Sequence, residues 1–414
     1  MTNTRKDQQE ILTKLGISAL NPMQIAAQEA IETHKNVMLL SPTGTGKTIA
    51  FLLPVIMGLH PSVTEIQTLI IVPSRELALQ ISQVAQEMGS GYKINAVYGG
   101  TSGSLDKANL KHTPAVLIGT PGRIADLIDR DIVSLQHLTT IVLDEFDKSL
   151  ETGFEEEMRF ILEQLPQGTS KIVSSATQKV KVPEFVGLNP AKTVNFLSKP
   201  TERLALKTVP VKTNKLETLL HLLGHLGEGN GILFCNLKNT IHEVSDFLID
   251  HSVPHTCFYG GLEQQDRERA LLQFRNGTHR LLIATDLAAR GIDIPALDYI
   301  IHFELPDRPD EFTHRNGRTA RMQQDGIAYI LASDEDKIPV FVKDSTPIVL
   351  TKKAIPSRTA WKTLYISGGR KNKISKGDIA GLFLKQGNLK KEELGTIEIQ
   401  PLCAFVAVPT KKAS

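Results

Sequence analysis

The feature of this sequence that most limits its fold is a series of short apolar segments separated by helical stretches. The segments are rich in Val, Ile and Leu, and polar turn residues bound them. Such runs are typical of strands buried on both faces, and helical spacers between them indicate βαβ units and a parallel sheet. In the first half the segments are residues 37–40, 69–72, 96–98, 116–119, 140–143 and 171–174.

The series restarts after residues 201–214, which predicts a second α/β domain joined to the first near residues 198–212. A connector with Pro339, Pro347 and Pro356 follows, and then a small α+β module. In the module we predict strands at 364–367, 396–399 and 404–408, helical spacing at Ile379, Leu382 and Phe383, and a short helix capped by Asn388 and ended by Gly395. The strands of the second domain are predicted at 231–234, 256–259, 281–285, 298–302 and 327–331.

The charge is unevenly distributed along the chain. The formal total is +2, from 47 basic and 45 acidic residues. Residues 351–414 hold 13 basic and 4 acidic residues, a net of +9, whereas the preceding 350 residues carry −7. A basic end on an acidic body indicates either a polyanionic partner or a solvated Lys-rich tail.

Composition excludes several classes of protein. No apolar run approaches the roughly 20 residues of a membrane helix, and residues 1–16 lack the apolar core of a signal peptide. The three cysteines lie far apart, without metal-ligand spacing. We therefore expect a soluble, intracellular, multidomain protein.

A phosphate-binding loop is indicated where the first apolar segment ends. Residues 41–48 read Ser-Pro-Thr-Gly-Thr-Gly-Lys-Thr, and an apolar helix-like stretch follows. In such a loop backbone N–H groups cradle phosphates, Lys47 reaches the β and γ oxygens, and Thr48 binds Mg²⁺. Ser41 replaces the first glycine of the general pattern, and a chance Gly-Lys-Thr is the alternative interpretation. The expected nucleotide-binding residues are Thr43, Gly44, Thr45, Gly46, Lys47 and Thr48.

Two adjacent carboxylates, Asp144 and Glu145, follow the segment 140–143. A buried strand that delivers carboxylates to its carboxyl end suits Mg²⁺ binding and water positioning. We expect Asp144 to hold the metal and Glu145 to orient or deprotonate the attacking water. The alternative is an acidic strand end that caps the next helix.

Together with further segments, these motifs resemble the DEAD-box RNA helicases over residues 15 to about 335. The resemblance implies an α/β fold of two tandem RecA-like parallel-sheet domains. It also implies an RNA-dependent ATPase that unwinds RNA duplexes locally, with ATP and Mg²⁺ as cofactors. Phe146 departs from the family by replacing the usual alanine. The other segments are residues 73–78, 99–100, 120–123, 144–147, 175–177, 233–236, 264–267, 284–293 and 314–321.

The same resemblance assigns roles to single residues. Gln24 would read the adenine edge, Gly291 and Asp293 would also bind nucleotide, and Arg318 and Arg321 would be arginine fingers that act when the two domains close. The expected coupling residues are Asp147, Ser175, Thr177 and His314. The expected RNA-binding residues of the two helicase domains are Pro73, Arg75, Gly100, Thr120, Gly122, Arg123, Asn236, Gln264, Arg267, Thr285 and Asp286.

One departure concerns the base of the nucleotide. The family has an aromatic residue about 17 positions before Gln24, which stacks on the adenine, yet here no Phe, Tyr or Trp precedes Phe51. A lost stacking contact costs about 1 kcal/mol. We therefore expect a modest affinity for ATP or a relaxed preference for adenine.

The basic module resembles the DbpA-type RNA-binding domain, an atypical RRM, at residues 364–373, 376–379, 395–397 and 405–408. This implies phosphate contacts by Arg370, Lys371 and Lys373, and a target in structured ribosomal RNA during large-subunit assembly. Tyr365 fits either the core or a base-stacking position. The expected domains are residues 1–205, 206–345 and 358–414.

Other functions remain open from sequence. One alternative is a general RNA chaperone, RNA-decay or cold-response helicase without specificity for ribosomal RNA. A DNA-acting translocase is disfavoured by the RNA-specific segments, and an ATPase-impaired RNA clamp by the intact Lys47, Glu145 and Arg318. We expect a cytoplasmic monomer that binds RNA, with pre-ribosomal particles as possible partners, and neither DNA nor a membrane.

Overall fold

The structure is a computed structural model that divides into two compact units. The first unit holds the described residues up to 197, and the second holds the described residues from 204 onward. No helix in the described part of the chain is both long and apolar enough to cross a membrane. The structure describes residues 7–42, 44–100, 103–151, 153–177, 182–197, 204–286, 294, 297–319, 326–333, 335–342, 345–351, 359–400 and 402–413.

The first unit contains a seven-stranded, fully parallel sheet of order β3-β4-β2-β5-β6-β1-β7. All six strands predicted for this half are confirmed. The edge strand β7 was not predicted, because three of its four residues are exposed and it lacks an apolar run. The strands are β1 (Asn36–Leu40), β2 (Thr68–Ile71), β3 (Ile94–Val97), β4 (Val116–Gly119), β5 (Thr140–Leu143), β6 (Ser170–Ser175) and β7 (Lys192–Asn195).

Helices cover both faces of this sheet. Alternate residues of β2 show the two layers, because Leu69 and Ile71 belong to one buried cluster and Ile70 to the other. This two-sided burial explains the continuous apolar runs in the sequence. The helices are α1 (Gln8–Lys14), α2 (Pro22–Thr33), α3 (Lys47–Met57), α4 (Arg75–Glu87), α5 (Gly103–Leu110), α6 (Pro121–Asp129), α7 (Phe146–Glu151) and α8 (Glu155–Glu163).

The second unit repeats this architecture with a parallel sheet of order β10-β11-β9-β12-β13-β8-β14. The strands are β8 (Leu204–Pro210), β9 (Gly231–Phe234), β10 (His255–Phe258), β11 (Leu281–Ala284), β12 (Tyr299–His302), β13 (Gly326–Ala332) and β14 (Thr346–Pro347). The helices are α9 (Lys215–Leu226), α10 (Lys238–Asp250), α11 (Gln264–Arg275) and α12 (Pro309–Asn316).

The predicted junction near residues 198–212 contains a strand that was not predicted. Residues 204–210 form β8, a strand of the second sheet that pairs with β13 in the register Leu204↔Gly326. Only one of its seven residues is buried, so its sequence lacks the apolar run that identified the other strands. Residues 204–210 therefore belong to the second unit.

The second unit also carries a three-stranded antiparallel sheet of order β15-β17-β16. Its strands are β15 (Trp361–Ile366), β16 (Ile397–Ile399) and β17 (Ala404–Pro409), close to the predicted segments, and α13 (Lys376–Gly381) packs on them. The predicted cap at Asn388 is wrong. Asn388 has a positive φ of 50°, and only a three-residue 3₁₀ turn, Lys391–Glu393, follows it.

Candidate functional site

The nucleotide-binding loop lies between β1 and α3, as the sequence predicts. The Lys47 ammonium donates to the carbonyl oxygens of Ser41 (2.7 Å) and Pro42 (3.0 Å), so it is folded back over the loop. Ser41 is fully buried, and its hydroxyl lies 2.7 Å from that of Thr45. Gly46 has a φ of 86°, a left-handed conformation that favours glycine at this position. Thr43 lies outside the described residues.

Gln24 is joined directly to this loop. It forms a reciprocal capping box with Asn21 at the start of α2, with both hydrogen bonds at 2.9 Å. Its side-chain amide donates to the Gly46 carbonyl at 3.3 Å, and that of Asn21 donates to Thr45 at 3.1 Å. The position 17 residues before Gln24 is the exposed Asp7, which has no ring to stack on a base.

Asp144 ends β5 and is only 3% exposed. The Ser174 hydroxyl donates a short hydrogen bond to Asp144 Oδ1, and the Glu145 backbone N–H donates to the same oxygen at 3.0 Å. Burial raises the pKa of Asp144, while the Ser174 hydrogen bond and the Lys47 charge act in the opposite direction. Asp144 is thus a buried carboxyl with a shifted pKa beside a phosphate-binding loop, and this combination is typical of functional sites.

The oxygen donors present suit Mg²⁺. Asp144 and Glu145 at the end of β5, and Thr48 in the first turn of α3, offer carboxylate and hydroxyl oxygens, which this ion prefers. Among the described residues, no group of three or more His, Cys, Asp or Glu side chains could hold a metal by itself. Mg²⁺ usually takes only one or two carboxylates and completes its shell with phosphates and water.

Asp147, Ser175 and Thr177 are brought together as expected of coupling residues. The Thr177 hydroxyl donates to Asp147 Oδ2 at 3.1 Å, and the Thr177 N–H donates to the Ser175 hydroxyl at 3.0 Å. These contacts join the start of α7 to the end of β6. Glu145 has a φ of 47°, so the chain turns sharply between β5 and α7.

The residues expected to bind RNA in the first unit lie beyond the carboxyl ends of β2, β3 and β4. The Arg75 guanidinium rests on Gly100, where an added Cβ would lie 2.6 Å from its Nη1. Thr120 is the N-cap of α6 and Ser74 that of α4, so two helix N-termini open at this edge. Helix N-termini favour phosphate.

Arg123 is held by two carboxylates. Its guanidinium contacts Asp106 Oδ2 at 2.5 Å and Asp126 Oδ2 at 2.6 Å, and its side chain is 12% exposed. In this arrangement Arg123 ties α5 to α6. Asp106, which is itself buried, contacts a predicted site residue, and the sequence interpretation did not single it out.

In the second unit, Asn236 and Asp286 converge on Arg315. The Arg315 guanidinium donates to both Asp286 oxygens (2.8 and 2.6 Å), to Asn236 Oδ1 (2.7 Å) and to the Glu304 carbonyl (2.5 Å). Arg315 is 1% exposed. It links three predicted motifs, although the sequence interpretation placed Arg315 in the segment 314–321 without giving it a role of its own.

The other predicted residues of this unit are dispersed. Gln264 bonds Glu268 on α11 at 3.0 Å, and the Arg267 guanidinium lies 4.9 Å from the centre of the Phe258 ring. Arg318 is 6% exposed, directly after α12, which carries His314. Gly291, Asp293 and Arg321 lie outside the described residues. Arg370, Lys371 and Lys373 form an exposed turn after β15.

Comparison with known proteins agrees with this geometry. Three family models match: DEAD/DEAH box helicase at residues 21–185, helicase conserved C-terminal domain at 214–323, and DbpA RNA binding domain at 363–414. The chain is 31% identical to ATP-dependent RNA helicase DbpA of Escherichia coli (strain K12), over 96% of this chain and 90% of that protein. It is 33% identical to eukaryotic initiation factor 4A of Drosophila melanogaster, over 73% and 77%.

Among solved structures, S. cerevisiae Dbp5 bound to RNA and ADP BeF3 matches with a TM-score of 0.73 and 26% identity. The match covers 84% of this chain and 94% of that one. The relative that covers nearly the whole chain is an ATP-dependent RNA helicase, and the third family model adds an RNA-binding domain. The chain therefore belongs to the DEAD-box ATP-dependent RNA helicases, which are RNA-dependent ATPases, and carries a DbpA RNA-binding domain after its two helicase domains.

Proposed function

We propose that this helicase acts on structured ribosomal RNA during assembly of the large ribosomal subunit. The observation that most supports this proposal is the basic module, which has a net charge of +9 and is attached to a helicase body with a net charge of −7. The match of this module to the DbpA RNA binding domain supports the same proposal. We further propose that the protein acts as a cytoplasmic monomer, with domains at about residues 1–205, 206–345 and 358–414, the first boundary lying before β8 because all of that strand pairs in the second sheet.

In the proposed mechanism, the loop residues Gly44 to Thr48 bind the phosphates of ATP, and Gln24 reads the adenine edge. Thr48 and Asp144 would hold Mg²⁺, which when bound neutralises phosphate charge. Lys47 leaves its carbonyl contacts for the β and γ oxygens. Glu145, placed by the turn after β5, orients the attacking water and accepts its proton.

Charge on the γ-phosphate would be met by Arg318 and Arg321 of the second unit. An arginine finger contributes about 10³–10⁵ in rate, so turnover should need both units. Asp147, Ser175, Thr177 and His314 would couple hydrolysis to RNA binding. The RNA strand would be held mainly through phosphates and 2′-hydroxyls by the motif residues.

Substitution Glu145→Gln tests the catalytic assignment. We expect RNA-stimulated ATP hydrolysis to fall by about 10²–10⁴, since a positioned base is removed, while ATP and RNA binding persist. The matched control is Glu155→Gln at the exposed start of α8. Turnover that survives Glu145→Gln would remove Glu145 from the mechanism.

Crosslinking to cellular RNA, with the full chain and with a chain lacking residues 351–414, tests the target. We expect crosslinks to concentrate on large-subunit ribosomal RNA and to disperse after truncation. Crosslinks spread over messenger RNAs and unchanged by truncation would favour a general RNA chaperone or decay helicase.

A further inference from the structure

Helix α11 is shared by two parts of the second unit. Its first half carries Gln264 and Arg267, which we expect to contact RNA. The turn after its carboxyl end contacts β15 of the basic module. There the Thr278 hydroxyl lies 2.6 Å from that of Thr363, and the Asn276 amide donates to the same Thr363 oxygen at 3.4 Å. The module is therefore docked on the helix that holds expected RNA contacts of the helicase domain.

The docking contacts extend to both ends of the module's sheet. At the end marked by the pair Trp361↔Pro409, a Cβ built on Gly277 would lie 3.4 Å from Trp361 Cδ1, so the indole lies directly against the turn after α11. At the other end, Gln400 lies in the turn between β16 and β17, and its side-chain amide donates to Glu268 Oε2 at 3.3 Å. Contacts at two separate places thus fix the module against α11.

The Glu268 carboxylate is the point where the module meets the RNA-binding element. Besides the hydrogen bond from Gln400, it accepts a second one from the Gln264 side-chain amide, one turn earlier on α11, at 3.0 Å to Oε1. An ionised carboxylate only accepts hydrogen bonds, so both amides present their nitrogen to it. Glu268 therefore joins an expected RNA contact of the helicase domain to the module.

Gln400 is held firmly within the module. Its backbone N–H donates to the Cys403 carbonyl at 2.8 Å, and its own carbonyl accepts from the Arg370 N–H at 3.0 Å. Its side-chain oxygen accepts from the Cys403 thiol at 3.3 Å. Burial, and then the Glu268 charge, raise the pKa of that thiol, which keeps it protonated as a donor. The Gln400 amide is thus fixed in orientation, and it meets Glu268 only while the module is docked.

We propose that Glu268 is a positioning residue that couples docking of the basic module to RNA binding at Gln264. In the docked module, two amide donors hold the carboxylate in one orientation, and the carboxylate in turn holds Gln264. Release of the module removes the Gln400 donor and leaves a reorienting anion one turn from Gln264, where it repels RNA phosphates. Docking therefore strengthens RNA binding by the helicase domain. The inference rests on the RNA role proposed for Gln264, and it holds for any RNA that the module selects.

The test exchanges the two partners of the hydrogen bond between α11 and the module, in the full chain. Gln400→Glu alone places two carboxylates against each other, and Glu268→Gln alone leaves one acceptor oxygen for two donors. The probe is a single-stranded RNA unrelated to ribosomal RNA. We expect its KM in the ATPase reaction to rise about tenfold in Gln400→Glu and about threefold in Glu268→Gln, with kcat at saturating RNA unchanged.

The double variant Glu268→Gln/Gln400→Glu keeps the net charge and allows both hydrogen bonds to form again, with donor and acceptor exchanged. Its KM for RNA should return to within about twofold of the original value, whereas the effects of independent residues would multiply. The matched control is Glu263→Gln, which removes a carboxylate from the exposed N-cap of the same helix, where the side chain makes no capping hydrogen bond. This control should leave the KM unchanged.

Three results would overturn the coupling. They are an unchanged KM in Gln400→Glu, a double variant impaired by the product of the two single effects, and a lower KM in Gln400→Glu, which would mean that docking opposes RNA binding. Equal thermal unfolding temperatures of the original chain and the three variants check that the changes in KM do not arise from a damaged fold.

Gln264→Ala, measured with the same RNA, separates this inference from the proposed function. A raised KM in Gln264→Ala, together with no effect of the Glu268 and Gln400 substitutions, would refute the coupling alone. An unchanged KM in Gln264→Ala would refute both the RNA role of Gln264 and the coupling. Neither result bears on the ribosomal target, which the crosslinking experiment tests by itself.

Discussion

At the scale of single residues, Ser174 illustrates how a buried hydroxyl can prepare a metal site. It is fully buried on β6 and donates to the same oxygen of Asp144 that accepts from the Glu145 N–H. With Oδ1 engaged in this way, the carboxylate is fixed in orientation, as a residue proposed to hold Mg²⁺ would require. A lone serine before the coupling segment carries no such signal in the sequence.

Substitution Ser174→Ala should raise the Mg²⁺ concentration needed for half-maximal ATP hydrolysis about tenfold, the value of one hydrogen bond to a charged group. Mn²⁺ binding to the ADP complex, followed by electron paramagnetic resonance, checks this without turnover. The control is Ser82→Ala, a buried serine on α4 that contacts Gln86. An unchanged metal requirement in Ser174→Ala would show that Asp144 is oriented without it.

His302 should make the stability of the second helicase domain depend on pH. It is fully buried on β12 and bonded to Asn316 at 3.0 Å; burial, and then the Arg315 charge, lower its pKa from 6.5 to about 3. Between those values the unfolded chain binds a proton that the folded chain does not. The contribution of neutral His302 to the free energy of unfolding is therefore complete above pH 6.5, and it is lost as the pH falls towards 3.

We expect the free energy of unfolding of the second unit to fall by at most about 1.4 kcal/mol per pH unit below pH 6.5 from this residue. Urea unfolding at several pH values measures the slope. In His302→Gln, which keeps a polar group but does not titrate, the slope should be smaller. An identical slope in both proteins would assign the acid sensitivity to other groups.

At the scale of elements, the two arginines of the first unit that we expect to bind RNA have different surroundings. Arg75 begins α4 and lies over Gly100, whereas Arg123 is engaged by Asp106 and Asp126 between α5 and α6. An arginine held by two carboxylates contributes little net charge to a phosphate. We therefore expect Arg123 to hold α5 against α6 and to contribute less to RNA binding than Arg75.

Binding of single-stranded RNA over a salt series distinguishes the two roles. Arg75→Gln should weaken binding and lower the salt slope by about one, as expected for a lost phosphate contact. Arg123→Gln should leave the slope unchanged and instead reduce the thermal stability of the first unit. Equal loss of slope in both variants would return Arg123 to the RNA-binding residues.

Sequence patterns predicted the strands that have apolar runs, including the edge strands β3 and β10, but they missed β7, β8 and β14. Strands such as β2 and β4 are buried at every residue, so burial on two faces is visible as an apolar run. The edge strands β7 and β14 are largely exposed and show no such run. Motif spacing likewise located the nucleotide-binding loop. It could not reveal Arg315, whose role depends on partners from three distant segments.

At the scale of the whole molecule, the uneven charge indicates where salt-sensitive RNA binding resides. Truncation after residue 350 removes 13 basic residues and the contacts of Thr363 and Gln400 with the helicase domain. We expect the shortened chain to keep its basal ATPase and to lose most of the salt dependence of RNA affinity. ATPase and anisotropy titrations measure the two properties. A basal ATPase that fell in parallel with affinity would show that the module supports the catalytic fold.

The strand order also determines when, during translation, each parallel sheet can be completed. In the first unit the earliest strand, β1, lies between the two latest, β6 and β7, and in the second unit β8 lies between β13 and β14. During translation, the first strand of each parallel sheet therefore waits for its neighbours until nearly all strands of that sheet have been synthesised. Such distant pairing slows folding, and the waiting strand is exposed meanwhile. Synthesis of this chain thus has two vulnerable intervals, each ended by the arrival of the last strands of a parallel sheet.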